Sequence, residues 1–256
     1  MADYRQAYID VLKEREALHM QSCKKPENQP ELTPHMFQVL FDWLIEISPW
    51  AVNVDTQSEL TFNNQSLAMS ILLQYLAVET VPMNKLQLVG VLSLTISGKI
   101  LLYKPLKTED ITYITNYTYS LEEVKTREED MVLKVKHLLS PSPMDFLHCV
   151  VDVDSFPESD KNIIIFILTA QLLYLFSYIT LTPSLQALTA YYILTKYRGT
   201  EFLPFSLLGH TMKVIKCNVK KMLKNVKTIH SQKLFEFFAP ADRETLSSDI
   251  DQILNM

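Results

Sequence analysis

Hydrophobic and polar positions follow helical spacing along almost the whole chain. Apolar residues recur at intervals of three and four positions, which places them on one face of an α-helix. Prolines and short polar stretches separate the periodic segments and mark where helices end. The pattern predicts helices at residues 3–20, 33–48, 64–77, 84–102, 107–116, 121–137, 144–153, 159–179, 183–197, 203–209, 211–230, 234–238 and 241–254.

Proline-containing breaks define the predicted domain organisation. Thr33-Pro34 has the form of a helix N-cap followed by proline in the first turn, and Pro49 is expected to end that helix. Pro141-Ser-Pro143 leaves about five predicted helices on each side, apart from the N-terminal helix and the short segments 203–209 and 234–238. We therefore expect an all-α fold of two tandem five-helix domains with an additional N-terminal helix. The expected bounds are 1–32 for the N-terminal helix and linker, 33–140 for the first domain, and 141–256 for the second domain and C-terminal tail.

Two segments are apolar on nearly every face. Residues 86–102 are expected at the centre of the first helix bundle. Residues 163–181 are about as long as a membrane span, but they contain Thr169, Gln171 and further hydroxyl side chains. A second apolar helix follows after only a proline break. We therefore interpret 163–181 as the buried central helix of the second domain, not as a membrane span.

Glycine is scarce, with 4 in 256 residues where average usage would give about 18. The glycines are far apart, so the chain contains neither a dinucleotide-binding fingerprint nor a Walker phosphate loop. No serine has the flanking glycines of a nucleophile elbow. This composition also disfavours β-rich folds, which use glycine in tight turns. The four glycines are Gly90, Gly98, Gly199 and Gly209.

Charge and cysteine usage exclude further classes. The net charge of −5 gives the chain as a whole no electrostatic footprint for nucleic acid. Cys23, Cys149 and Cys217 are odd in number, widely spaced and in no CxxC pair. This pattern argues against a disulfide framework and a zinc site, and suits a reducing compartment. The first residues include no apolar segment of the kind found in a signal peptide.

No catalytic set or metal site is evident. The carboxylates Glu122-Glu123 and Glu128-Glu129-Asp130 cluster on one predicted helix, but no opposed partner for acid–base chemistry is apparent. We expect a protein that is not an enzyme and needs no metal or cofactor. Five of the six histidines, compared with known metal-ligand spacings, match none and are expected at the surface or in the core: His35, His137, His148, His210 and His230.

Two residue stripes have both a structural and a functional interpretation. The first is basic, and a solvated helix face or a binding surface for an acidic partner or nucleic acid would explain it. It consists of Lys213, Lys216, Lys220, Lys224 and Lys227. The second is apolar, and its spacing alone favours core packing. It consists of Met36, Val39, Leu40 and Trp43.

Motifs between Tyr4 and Leu147 carry the most specific signal. They are, in order, Gln29-Pro-Glu-Leu-Thr33 with Met36-Phe-Gln-Val-Leu-Phe-Asp-Trp-Leu44, Lys85-Leu-Gln-Leu-Val-Gly90, Ser97-Gly98-Lys99, Tyr113-Ile-Thr-Asn-Tyr-Thr-Tyr119, Glu128-Glu-Asp-Met-Val-Leu-Lys-Val135 and Pro141-Ser-Pro-Met-Asp-Phe-Leu147. In this order and spacing they resemble the cyclin box of A- and B-type cyclins. The second half of the chain resembles the family weakly, mainly at Pro183-Ser184.

The resemblance implies two tandem cyclin boxes and a regulatory function. Cyclins of this type bind a cyclin-dependent kinase and push its C-helix inward, which completes the kinase active site. The family's kinase-contacting lysine and glutamate correspond to Lys99 and Glu129. Its N-terminal helix contributes further kinase contacts, at positions that correspond to Tyr4, Tyr8 and Val11. The alternative for these three residues is packing against their own domain.

The resemblance also gives the apolar stripe a functional interpretation. In A-type cyclins the equivalent groove docks Arg-x-Leu motifs of substrates and inhibitors. An apolar pocket with one carboxylate suits a ligand that offers leucine and arginine. The corresponding residues are Met36, Val39, Leu40, Trp43, Glu46, Leu86 and Gln87.

Departures from the family pattern bear on packing and on the choice of partner. The family's buried Arg–Asp pair is replaced by Phe37 and Leu73, a change that is compatible with the fold because apolar residues can replace a buried ion pair. The acidic pair that follows the family's A-S-K becomes Leu101-Leu102. We expect a kinase interface there that is more apolar and depends less on salt.

The compact length and the divergence favour a virus-encoded cyclin of the gammaherpesvirus kind over a divergent cellular cyclin. No destruction motif precedes the box, so we expect the chain to escape timed degradation. The expected partner is cyclin-dependent kinase 2 or a close relative. We expect the protein in the nucleus and cytoplasm of the cell and expect no association with a membrane. The alternative is a non-activating cyclin-box adaptor that binds peptides or DNA in transcription.

Overall fold

The computed structural model describes residues 2–23, 29–52, 58–101, 106–136, 139–173, 181–202, 208–228, 234, 238 and 240–255. These residues form eleven α-helices, two short 3-10 helices and no strand. The α-helices are α1 (Ala2–Ser22), α2 (Pro34–Val52), α3 (Ser58–Val78), α4 (Leu86–Leu101), α5 (Thr108–Ile114), α6 (Leu121–Lys134), α7 (Pro143–Val150), α8 (Glu158–Leu172), α9 (Pro183–Arg198), α10 (Met212–Thr228) and α11 (Pro240–Leu254). The predicted all-α class is confirmed.

The chain divides into two compact units. The N-terminal unit comprises Leu18–Ser140 and Leu173–Ile179, and the C-terminal unit comprises Met1–Ala17, Pro141–Leu172 and Thr180–Met256. Most of α1 thus belongs with the second half of the chain, whereas the sequence suggested a separate segment at 1–32. The start of α7, just after the division between Ser140 and Pro141, is fixed by a helix cap. Ser142 caps α7 by accepting a hydrogen bond from the Met144 amide at 3.0 Å, and Pro143 occupies the first turn.

Helix α4 is the centre of the N-terminal unit, as its uniformly apolar sequence predicts. Every residue from Leu88 to Gly98 is buried, and α2, α3 and α6 pack around it. Gly90 lets α2 approach closely, because a Cβ at this position would lie 2.7 Å from Cδ1 of Leu40. The glycine in the Lys85–Gly90 motif therefore leaves room for the Leu40 side chain in the contact between α2 and α4.

Helices α8 and α9 form the centre of the C-terminal unit. The residues from Asn162 to Leu172 are all buried on α8, and α9 packs against α7, α8 and α10. Where the structure describes it, the segment predicted as a buried central helix is therefore buried. No helix among the described residues is both long enough and apolar enough to cross a membrane. Residues 174–179 of the predicted helix lie outside the described residues.

Helix boundaries account for the main differences from the prediction. Pro49 does not end α2, which continues to Val52. The missing proline N–H costs a single hydrogen bond near the end of the helix, so the last turn persists. Helix α3 begins at Ser58 instead of at residue 64. The predicted helices at 203–209 and 234–238 fall mostly outside the described residues.

Candidate functional site

Lys99 lies in the last turn of α4, where its charge is favourable at the negative end of the helix dipole. Gly98, immediately before it, is buried, whereas Lys99 is exposed. Its ammonium forms an ion pair with Glu128 of α6. The most buried helix of the N-terminal unit thus presents a fixed cation at its exposed end.

Glu129 lies on the outer face of α6. Ser120 caps this helix by accepting a hydrogen bond from the Glu123 amide at 3.2 Å, and Val124 and Met131 bury its inner face. Those two anchors turn Glu129 toward solvent. Within the described residues its carboxylate makes no ion pair. The neighbouring Glu128, and not Glu129, neutralises Lys99.

A polar network fixes α6 against α3. The Tyr75 hydroxyl donates to Oδ2 of Asp130 at 2.5 Å and accepts from Arg127 at 2.9 Å. Lys134 bridges Asp130 at 2.8 Å and Glu79 at 2.6 Å. Burial and the bond to Asp130 raise the pKa of Tyr75 to about 12. Burial raises the pKa of Asp130, but the bonds from Lys134 and Tyr75 outweigh it and leave that pKa below its ordinary value.

Leu133 is an exposed apolar residue that motif matching alone did not single out. It follows Glu129 by one helical turn and its side chain is 85% exposed. The adjacent Val132, and Leu101 at the end of α4, are also exposed. The signal in the sequence was an apolar residue on the otherwise polar face of α6. The surroundings of Lys99 and Glu129 therefore combine charge with exposed apolar area.

Tyr4, Tyr8 and Val11 lie along the outer side of α1. Their exposed fractions are 85%, 53% and 43%. Ile9 and Leu12, on the other side of the same helix, are buried. The three side chains thus lie on the outer side of α1, and their role as kinase contacts stays a prediction.

Glu16 anchors α1 within the C-terminal unit. Its side chain is buried, and it accepts hydrogen bonds from the amide and the hydroxyl of Ser184 at 2.7 and 2.9 Å. Lys13 pairs with the same carboxylate at 2.5 Å. Because Ser184 is in the first turn of α9, the carboxylate lies at the positive end of that helix. Sequence reasoning missed Glu16, since a single glutamate in an amphipathic helix carries no signal.

His210 completes this cluster. Its Nε2 lies 2.8 Å from the Ser184 hydroxyl oxygen. The Ser184 hydroxyl donates to Glu16 and accepts from Lys13, and Oγ1 of Thr182 lies 3.2 Å from the same oxygen. Burial, followed by the charge of Lys13, lowers the pKa of His210. The cluster is thus a closed set of hydrogen bonds built around a buried carboxylate.

The proposed docking residues differ in exposure. Val39 and Glu46 are exposed, whereas Met36, Trp43 and Gln87 are half-buried. Leu40 and Leu86 are buried, so they pack in the core beneath the exposed residues. The residues come from α2 and the first turn of α4, two helices that pack together. Some of the apolar residues thus belong to the core, and the others are at least partly accessible at the surface.

The positions that depart from the family pattern have simple environments. Phe37 and Leu73 are both buried in the N-terminal unit, as expected if apolar residues replace the ion pair. Leu102 lies outside the described residues.

The three cysteines Cys23, Cys149 and Cys217 form no disulfide bond. No group of three or more potential metal ligands occurs in the described parts of the chain.

Comparison with known proteins gives the family. The model of the cyclin N-terminal domain matches residues 7–140. Cyclin-A3-4 of Arabidopsis thaliana is 35% identical over 139 residues, which cover 53% of this chain and 36% of that protein. Cyclin-A1 of Xenopus laevis is 26% identical over 213 residues, which cover 82% of this chain and 49% of that protein. The chain thus matches less than half the length of either relative.

A solved structure extends the similarity in fold to the second half. The crystal structure of a viral cyclin from herpesvirus saimiri superposes with a TM-score of 0.69 and 20% identity. The superposition covers 89% of this chain and 99% of the viral chain. This likeness shows a shared fold. Because the family model matches more than half of the residues, the chain belongs to the cyclin family.

Proposed function

We propose that this cyclin binds and activates a cyclin-dependent kinase, most specifically cyclin-dependent kinase 2 or a close relative. Lys99 and Glu129, at the positions of the family's kinase contacts, are both exposed on helices that are anchored in the core. This observation carries the proposal. Cyclins are regulatory subunits and not catalysts, which agrees with the absence of a catalytic motif from the sequence.

The proposed mechanism uses this surface to reposition the kinase. Charged groups on fixed helices make strong, directional hydrogen bonds to the kinase backbone. Those contacts hold the kinase C-helix inward, so that the Lys–Glu pair needed for phosphoryl transfer forms and the activation loop is released. Leu133 and Leu101 add exposed apolar area, and Leu101 stands where the family pattern has an acidic residue. We therefore expect the affinity to depend less on ionic strength than that of an acidic interface.

The N-terminal helix supplies a second set of proposed contacts. Tyr4, Tyr8 and Val11 are exposed at intervals of four and three residues along α1. Tyrosine side chains are well suited to such contacts, because they bury a large area and also carry a hydroxyl group. Each unit of the chain thus contributes its own residues to kinase binding.

A direct test is to mix the purified cyclin with the kinase and to measure complex formation and histone phosphorylation. The Glu129→Lys variant should weaken the complex at least about tenfold, because it replaces a charge-assisted bond by repulsion. Glu201→Lys is the matched control, since Glu201 is also exposed. Absence of a complex with the unmodified chain would overturn the proposal. A stable complex without activation would support a non-activating adaptor instead.

We further propose that Met36, Val39, Trp43 and Gln87 dock Arg-x-Leu peptides, with Glu46 near the arginine. Trp43→Ala should abolish peptide binding and leave kinase binding unchanged. Trp43 is half-buried, so Val39→Asp, at an exposed position, provides a variant that preserves folding. Val78→Asp, at another exposed valine, is the control. Unchanged peptide affinity in both groove variants would disprove this assignment.

A further inference from the structure

Helix α10 concentrates positive charge in an otherwise acidic chain. Its 17 residues include six lysines and no acidic residue. The whole chain has 24 basic and 29 acidic residues, so the remainder has 18 basic against the same 29 acidic residues. We call the four exposed lysines that follow one another on one side of this helix, at intervals of three and four positions, the lysine face. It consists of Lys213, Lys216, Lys220 and Lys224.

The packing of α10 fixes the orientation of the lysine face. Ile215, Met222 and Val226 are buried on the opposite side, and α10 packs against α8 and α9. The Asn218 amide donates to the Thr189 hydroxyl at 2.8 Å, which adds a specific anchor to α9. The helix therefore cannot rotate to hide its lysines without exposing core residues.

The lysine face carries charge that no described carboxylate pairs with. In the part of the chain that the structure describes, none of its four ammonium groups has a carboxylate within 4.0 Å, whereas Lys85 and Lys134 do. Like charges one turn apart on a helix repel each other, at a cost of about 0.2–0.5 kcal/mol per pair. Among the residues that the structure describes, the lysine face is therefore a cationic strip without paired carboxylates.

We propose that the lysine face binds an acidic segment of a partner protein, rich in aspartate and glutamate. From Lys213 to Lys224 the strip is about 16 Å long, which suits a short peptide whose carboxylates recur about every 6–7 Å along one side of an extended chain. Exposed Val214 and Cys217 lie beside the lysines and offer apolar contact. This interaction does not depend on the proposed kinase contacts.

The same observations disfavour other anionic partners. A nucleic acid extends beyond the strip and would meet the acidic remainder of the chain. The helix also offers no arginine and no aromatic side chain for base stacking. A membrane surface would favour a helix with a free apolar face, but the apolar face of α10 is packed against α8 and α9.

Fluorescence anisotropy with the full chain tests the proposal. A labelled peptide of alternating Glu and Ala should bind, its Gln counterpart should not, and affinity should fall as salt is added. Lys216→Glu with Lys220→Glu should weaken binding at least about tenfold. The control carries Lys136→Glu and Lys196→Glu, both at exposed positions, and has the same net charge.

Several outcomes would overturn the proposal. They are equal loss in the control, tighter binding of single-stranded DNA or anionic vesicles than of the Glu peptide, and no peptide binding by the unmodified chain. Circular dichroism establishes that both double variants remain folded. Kinase activation by the lysine-face variant should be unchanged. Loss of activation in that variant would assign the lysines to the kinase interface instead, and would leave the first proposal standing.

Discussion

At the residue scale, the three cysteines differ in environment although the sequence gives them equal status. Cys23 is buried, and its Sγ lies 3.3 Å from Nδ1 of His19. Burial raises the pKa of the Cys23 thiol to about 12. Burial also raises the pKa of Cys149, whereas Cys217 is exposed on α10. Since the thiolate is the reactive form, reactivity should follow exposure.

We therefore predict that a maleimide reagent labels Cys217 in the folded protein at neutral pH and leaves Cys23 unmodified. Peptide mass spectrometry after labelling for increasing times measures each site. Labelling in denaturant provides the control, because all three thiols should then react. Labelling of Cys23 at the rate of Cys217 would contradict the buried environment.

His210 makes stability depend on pH. Because burial and Lys13 lower its pKa in the folded state, the unfolded chain binds the proton more tightly. The contribution of neutral His210 to the stability of the fold is complete above the pKa of the unfolded chain, about 6.5. It is lost as the pH falls toward the pKa of His210 in the folded protein. Stability in urea should thus decrease from about pH 7 to pH 5.5. His210→Gln should reduce this decrease, and an unchanged pH profile would contradict the assignment.

The environments of individual residues were only partly predictable. The motif positions identified Lys99 and Glu129, and both are exposed as a contact surface requires. The ion pair between Lys99 and Glu128 could not be predicted, because neighbouring carboxylates look alike in a sequence. Consecutive helical residues point about 100° apart, so the burial of Val124 and Met131 decides which carboxylate faces α4.

At the element scale, the position of α6 depends on Tyr75 of α3. Removing the Tyr75 hydroxyl leaves Arg127 without that acceptor and Asp130 without one of its donors. Tyr75→Phe should lower the free energy of unfolding by about 1–3 kcal/mol. Tyr113→Phe, at an exposed position, should change it by less than about 0.5 kcal/mol. Urea denaturation measures both, and equal effects would show that the network adds no stability.

The helices themselves were largely predictable, because burial repeats with helical spacing. Helix α4 is central since it is apolar on all sides, and α7 begins at Pro143, one residue before the predicted start at residue 144. The end of α2 was not predictable from Pro49 alone. Whether a helix continues past proline depends on the balance between one lost hydrogen bond and local packing, and the packing is not visible in the sequence.

At the scale of the whole molecule, the N-terminal helix is joined to the second half of the chain. Glu16 and Ser184 are separated by 168 positions, yet they share two hydrogen bonds. No local pattern could predict this contact, because periodicity reports only which face of each helix is buried. Residues 1–17 group with the C-terminal unit, and the expected bounds of 1–32, 33–140 and 141–256 remain a prediction.

This arrangement predicts that Glu16 governs the contribution of α1 to kinase binding. Glu16→Ala leaves the Ser184 amide and Lys13 without their buried partner, and should destabilise the fold by about 3 kcal/mol. Glu16→Gln retains the shape and should cost less. If Tyr8 contacts the kinase, Tyr8→Ala alone should weaken the complex in a chain that keeps its stability, since Tyr8 is exposed.

Combining Tyr8→Ala with Glu16→Gln separates anchoring from contact. Once the helix is loosened, removal of Tyr8 should cost less affinity than it does in the unmodified chain, because the contact is already partly lost. Titration calorimetry with the kinase, supported by urea denaturation of each variant, measures this coupling. Strictly additive losses in affinity would mean that α1 holds its position without Glu16. No loss from Tyr8→Ala would exclude this tyrosine from the kinase interface, while the effect of Glu16 on stability would remain.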